Sequence, residues 1–232
     1  MKILAVDTST RTGSAAVLED DTIVAELQVS SSETHAKRLM TVIDATLHLA
    51  GLGLEALDAF AVTIGPGSFT GLRIGISAVK GLAFATGKPV TGVSTLDALA
   101  YQFPWFPGLV CPLLDARKGE VYTALYKCGG RDGLETVSSG CAVRPKEWLE
   151  GIQEACLFVG DGAVAFKDMI EEIVGRRASF APFYLHAPRA SVVGTLGIEQ
   201  IRRGETADVS ELVPFYIRQS DAEIKLAQGK LG

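Results

Sequence analysis

Three histidines and four cysteines are all that this 232-residue chain offers a soft metal, and neither set has a ligand spacing. No H-E-x-x-H or H-x-x-x-H is present, so a zinc hydrolase has nothing to stand on. At about 100° per residue, His35 and His48 would point to opposite faces of one helix. Cys111, Cys128, Cys141 and Cys156 form no C-x-x-C pair and read as reduced, mostly buried thiols. No G-x-S-x-G elbow occurs, which removes the usual serine nucleophile. Positive charge is also scarce in clusters. No Lys/Arg run exceeds the pairs Arg176-Arg177 and Arg202-Arg203, and the net charge is -5. Contact with nucleic acid is therefore expected to be local or supplied by a partner. The longest apolar tract, Ile74 to Ala85, is broken by Ser77 and Lys80, short of the roughly 18 residues that a membrane helix needs. Asp7 ends the first apolar run too early for a signal peptide. Together these absences point to a cytoplasmic protein without a metal of its own.

What the chain has is apolar content and periodicity. It is 47% hydrophobic and 21% charged, enough to build a sizeable core. Strands are expected at Ile3–Val6, Ser14–Leu18 and Thr22–Val29, with Asp20-Asp21 turning the last pair. Ala36, Leu39, Met40, Ile43, Leu47 and Ala50 then form one helical stripe, capped by Ser32 or Thr34 and stopped by Gly51. A strand over Leu57–Ile64, a helix over Ser68–Thr86, a strand over Lys88–Val93 and a helix over Thr95–Tyr101 follow. This order fits a mixed sheet with helices laid on it.

The stretch Gln102–Gly108, "QFPWFPG", interrupts the pattern, and after it the pattern restarts. "ILAVDTSTRTGSAAVL" and "VCPLLDARKGEVYTALY" share a plan: an apolar strand ending in Asp, a polar loop with Gly, then a second strand. The repeat implies two similar α/β domains, residues 1–104 and 105–232. The second holds expected strands at Leu134–Val143 and Cys156–Val159 and helices at Ala163–Val174 and Ala190–Arg203. That last helix is a candidate to pack back on the first domain. The tail "VPFYIRQSDAE" begins extended.

Two features invite chemistry. Gly65-Pro66-Gly67-Ser68 after a strand looks like a phosphate loop. A Walker loop, however, requires Lys-[Ser/Thr] after its glycines, and here the run continues Phe69-Thr70-Gly71-Leu72-Arg73. Gly67, Gly71, Gly75 and Ala78 instead line one face of the helix that follows Ser68. Each interior glycine costs about 1 kcal/mol against Ala, a cost accepted where something approaches the backbone closely. The helix is apolar nearly all round, so a second helix, from this chain or a partner, is expected on its other side. The second feature is the pair of strand-end acids, Asp7 with Thr8 and Ser9, and Asp115. They suit a Mg²⁺-nucleotide cleft between duplicated domains, or simple turn capping. Gly160-Asp161-Gly162 could likewise approach an adenosine or make an ordinary turn.

"ILAVDTST", "GPGSFTGLRIGISAVKGLA", "GVSTLDALA", "DARKGEVYTALY" and "PFYIR" occur in one order along the whole chain. Together they resemble the bacterial TsaB (YeaZ) family, and GPGSFTGLRIG is the most specific of them. The resemblance implies the actin/hexokinase/Hsp70 fold, two ribonuclease-H-like halves. It implies a supporting, non-catalytic role beside the related catalytic subunit TsaD and the ATPase TsaE. That assembly, using ATP and Mg²⁺, installs threonylcarbamoyl on N6 of the adenosine 3′ of the anticodon in tRNAs reading codons that begin with A. TsaD-type proteins hold a metal through an H-x-x-x-H pair, which is missing here. The resemblance also implies pairing with TsaD, or with a second copy, through the first two helices. It places tRNA contact in the complex and not in this chain alone. The interface residues expected on these grounds are His35, Leu39, Met40, Ile43, Gly67, Gly71, Ile74, Gly75, Ala78 and Leu82. Three rivals remain at this point: a phosphotransferase or ATPase using Asp7 and Asp115 around Mg²⁺-ATP, a metallopeptidase, and a ribonuclease-H-type nuclease.

Overall fold

The computed structural model describes residues 1–31, 34–129 and 133–218. Ser32, one of the two expected helix caps, the tail beyond Arg218 and the side chain of Cys128 lie outside the described residues. The first sheet is built from β1 (Lys2–Asp7), β2 (Thr12–Glu19), β3 (Thr22–Ser30), β4 (Ala59–Gly65) and β5 (Val90–Ser94), in the order β3-β2-β1-β4-β5. β1, β2 and β3 pair antiparallel, whereas β4 and β5 join in parallel. The second sheet holds β6 (Leu109–Arg117), β7 (Glu120–Cys128), β8 (Leu134–Val143), β9 (Cys156–Val159) and β10 (Ala178–Phe180), in the order β10-β9-β6-β7-β8. Its pairing repeats that of the first, strand for strand. The short sequence repeat at Asp7 and Asp115 therefore marks a duplicated topology.

Helices α1 (His35–Ala50) and α2 (Phe69–Thr86) cover one face of the first sheet. Both connect parallel-running strands, so they lie side by side and point the same way. Period-2 alternation divides each central strand between two cores. Leu4, Val6, Val17, Phe60 and Val62 face α1 and α2. Ile3, Ala5, Ala16, Ala59 and Ala61 face the opposite side, where α7 (Ala190–Arg202) packs. The alanines explain how closely that helix sits. A Cβ on Gly197 would lie 2.7 Å from Ala61 Cβ, and one on Gly194 would lie 2.4 Å from a Leu18 methyl.

α7, which follows the second sheet in the chain, thus completes the first core, and the exchange is mutual. Leu96, Leu99 and Ala100 of α3 (Thr95–Ala100) pack against Val110, Leu114 and Leu157 of the second sheet. α4 (Pro145–Glu150), α5 (Asp161–Ala165) and α6 (Lys167–Val174) cover its other face. The Tyr126 hydroxyl donates to Asp97 at 2.6 Å, tying β7 to α3. Burial and the Asp97 charge push the Tyr126 pKa upward, keeping that donor protonated. No helix among the described residues is long and apolar enough to cross a membrane.

The N-terminus of α7 has no cap from its own chain neighbour Arg189. Glu26 of β3 supplies it, accepting from Ser191 N at 2.9 Å and Ser191 Oγ at 2.8 Å. Ser14 Oγ accepts from Ala190 N at 3.0 Å. Glu26→Ala leaves the two Ser191 donors bare in a largely closed site and should cost about 2 kcal/mol. Urea unfolding would show the loss, and an unchanged midpoint would mean that the helix end is satisfied otherwise.

Several differences from the sequence expectations have local causes. The single helix expected over Ala163–Val174 is two, because Phe166 leaves helical geometry at φ -109° and ψ 22° between α5 and α6. α4 and the three-residue β10 are additional to the expected elements. Thr34 takes the cap position of α1 without a side-chain hydrogen bond. Ser68 caps α2 as its type suggests, accepting from Gly71 N at 3.2 Å.

Candidate functional site

Asp7 closes β1 and is fully buried. Its Oδ1 accepts from Ser9 N at 3.1 Å, Ser9 Oγ at 2.6 Å and Thr63 Oγ1 at 2.7 Å. Its Oδ2 is buried with no partner among the described residues. Burial raises the carboxyl pKa above the ordinary 3.8, and the Ser9 and Thr63 hydrogen bonds oppose that shift. The folded state then holds this proton more tightly than the unfolded chain does. Stability from this group falls as pH rises from the ordinary Asp range through the folded-state value, and it is level above. Asp7→Asn should remove that slope. Urea midpoints of both proteins at about pH 4.5 and about pH 7.5 should shift in the variant's favour at the higher pH. An identical difference at both pH values would contradict it.

The loop after Asp7 is held from two sides. Thr8 is fully buried, and its Oγ1 donates to Gly71 O at 2.7 Å. Ser68 N donates to Ser9 O at 2.7 Å. From α1, His35 Nε2 donates to Thr10 O at 2.7 Å, and Arg38 Nη2 donates to Arg11 O at 2.8 Å. The glycine row of α2 is what admits this loop. A Cβ on Gly71 would lie 2.1 Å from Thr8 O, one on Gly75 would lie 2.2 Å from Thr8 Oγ1, and one on Gly67 would lie 2.3 Å from Ser9 O.

This geometry corrects the interface expectation at several positions. Gly67, Gly71 and Gly75 meet Thr8 and Ser9 of their own chain, not a second helix. Leu39 and Ile43 are core residues facing the sheet. His35 is spent on the loop. Met40 remains outside, and Ile74, Ala78 and Leu82 are half-buried beside the core. Leu49 and Phe84, outside the expected set, are 65% and 83% exposed. Each is a large apolar side chain near the C-terminal end of its helix, so both lie at the end of the α1–α2 pair remote from the Thr8 loop. Their signal was available as an apolar residue off the core stripe.

Asp115 belongs to a separate network. Its Oδ1 accepts from Arg117 N at 2.8 Å, and its Oδ2 pairs with Arg117 Nη1 at 3.2 Å. Asp161 Oδ1 accepts from Asp115 N at 3.0 Å. Burial raises the Asp161 pKa, with neighbouring amides opposing and Asp115 adding to it. Gly160 and Gly162 are glycine because they press on the backbone of Leu113. The stretch is the junction of β9 and α5, with Gly160 at the helix cap and Asp161-Gly162 in its first turn.

A nucleotide phosphate needs free amide donors at the first loop. Here Ser9 N is committed to Asp7, Ser68 N to Ser9 O and Gly71 N to Ser68 Oγ. Those three amides are therefore not open to a phosphate, and the Asp115 carboxylate is engaged by Arg117. Among the described residues no group of three His, Cys, Asp or Glu side chains could hold a metal ion.

Comparison with known proteins decides the family. The chain is 38% identical over 229 residues to the tRNA threonylcarbamoyladenosine biosynthesis protein TsaB of Bacillus subtilis, covering 97% of each chain. The chain belongs to the TsaB (YeaZ) family. The Escherichia coli TsaB protein is 32% identical over 97% of this chain and 98% of its own. The family model described as "TsaD: tRNA N6-adenosine threonylcarbamoyltransferase" matches residues 25–226, as expected of a TsaB chain sharing the TsaD-type domain. The solved structure of YeaZ from Pseudomonas aeruginosa superposes with a TM-score of 0.78 at 29% identity, over 93% of this chain and 100% of that one. A ROK hexokinase from Thermus thermophilus superposes at 0.51 with 13% identity, over 88% of this chain and all of the other. That likeness establishes the actin/hexokinase-like fold of this TsaB-family chain.

Proposed function

We propose that this TsaB-family chain is a non-catalytic partner subunit in the biosynthesis of N6-threonylcarbamoyladenosine in tRNA. It would bind and activate a TsaD-type catalytic subunit, with a TsaE-type ATPase joining the assembly. The observation that carries this reading is the contrast between its two surfaces. The loop at Asp7 is closed by its own helices, whereas the outside of α1 and α2 keeps Met40, Leu49 and Phe84 in solvent. Large apolar side chains left in solvent on a helix pair are what a helix-packing partner buries. ATP and Mg²⁺ belong, in this reading, to the assembly, and tRNA meets this chain only within it. The same face would serve a homodimer when the partner is absent. A cytoplasmic location follows from the role. Light scattering of the chain mixed with a TsaD-type subunit tests the proposal: a single species of summed mass is expected, and two unchanged masses would reject it. Calorimetry with Mg²⁺-ATP on the isolated chain should give no micromolar binding. Such binding, lost in Asp7→Ala, would favour an independent phosphotransferase.

A further inference from the structure

The first sheet ends at β5, which among the described residues has no strand on its outer side. Phe60 N donates to Pro89 O, and the parallel register carries this ladder on through Thr91 and Val93. Val90 and Gly92 therefore turn their backbone groups outward. Val90 O is used there, accepting from Ala207 N at 2.9 Å. Among the described residues nothing bonds Gly92 on that side.

The segment after α7 explains the gap. It touches the edge at Ala207 and then leaves it in a turn where Glu211 N and Leu212 N both donate to Asp208 O. It returns at Phe215, whose N–H donates to Ile64 O at 2.7 Å. Lys80 fixes the turn from α2, donating to Ser210 O at 3.1 Å and Leu212 O at 3.2 Å. Between edge and turn lies a cavity of about 520 Å³. Ile64, Leu212 and Phe215 are among its apolar lining residues, Gln200 is a polar one, and Gly92 lines it too. Glu205 and Glu211 are its charged lining residues, and no Lys or Arg lines it. Glu205 is already paired with Arg203. Glu211 makes no ion pair among the described residues, and the Lys80 ammonium near it is held by the Ser210 and Leu212 carbonyls, so the carboxylate is left to a ligand.

We propose that this slot receives an extended peptide segment of a partner protein, laid beside β5 at Gly92 and carrying a lysine or arginine to Glu211. An unpaired donor and acceptor on one edge residue are what an added strand pairs with. A cavity of this size and apolar wall accommodates its side chains. The acidic lining selects a basic segment over an acidic one. The proposal does not depend on the α1–α2 face.

The test has a ligand-free arm and a ligand arm. In the free protein, amide exchange by NMR should show the Gly92 N–H exchanging about 100-fold faster than those of Thr91 and Val93, which bond β4. A dye-labelled hexapeptide of alternating valine and lysine should bind saturably and slow the Gly92 amide about tenfold or more. The valine–glutamate hexapeptide should bind at least about tenfold more weakly. Glu211→Lys should weaken the lysine peptide by about the same factor, with an unchanged thermal midpoint because Glu211 is exposed. Equal protection of Gly92 and its neighbours in the free chain would overturn the proposal. So would an unaltered Gly92 amide at saturating lysine peptide, or equal binding of the two peptides.

Discussion

Gly71→Ala should destabilise the fold by about 3 kcal/mol or more, and Gly71→Leu or Gly75→Leu should leave little folded protein. The reason is what the new Cβ meets. At Gly71 it meets the Thr8 carbonyl at 2.1 Å, which is backbone and cannot rotate away. Thr8 is anchored on one side by β1 and on the other by Ser9, which is tied to the buried Asp7 carboxyl. Moving it breaks the Thr8–Gly71 hydrogen bond and loosens the Asp7 network, each buried bond being worth about 1 kcal/mol. A domain stable by about 5–15 kcal/mol absorbs the alanine but not a leucine. Gly81 is the internal control. It lies on the exposed side of the same helix with nothing within 4 Å of a Cβ. Gly81→Ala should gain up to about 1 kcal/mol from helix propensity alone. Opposite signs for one substitution on one helix, read by urea unfolding, are expected. Matching effects at Gly71 and Gly81 would show that the loop does not pack as described.

The glycine row also shows how far a sequence speaks. Its period announced a close approach to the α2 backbone, and the close approach is there. Nothing in a spacing says whose atoms arrive, and they are those of Ser9 and of Thr8, the latter 63 residues before Gly71. Leu39, Ile43 and Leu47 were legible as a helix stripe, but a stripe is first of all a core, and these three face the sheet. The duplicated sheets were legible because Asp7 and Asp115 end equivalent strands with similar polar loops. α4 had a readable sign, Pro145 at its first helical position, whereas three-residue β10 has too little pattern to read. The break at Phe166 was hidden because apolar period continues across it. Glu26 as the cap of α7 could not be read at all, since 165 residues separate donor and acceptor.

The second large effect belongs to the outside of the helix pair. Met40→Asp with Phe84→Asp should weaken binding to a TsaD-type subunit by about 30-fold or more, roughly 2 kcal/mol, or abolish it. With the glycines sealed inside, a partner meeting this face has to meet these side chains instead. Met40 is 52% exposed and Phe84 83%, so aspartate costs the isolated chain little beyond propensity. At the centre of an apolar interface the same carboxylates would be desolvated without a partner, which is costly. The effect should therefore separate stability from assembly: an unchanged urea midpoint, but loss of the summed-mass species and of any self-association. Val164→Asp, at an apolar position of similar exposure in the second half, should change neither. If the double variant assembles as the parent does while the Val164 variant fails, the partner sits on the second sheet's helices. The exposed ends of α1 and α2 would then need another explanation.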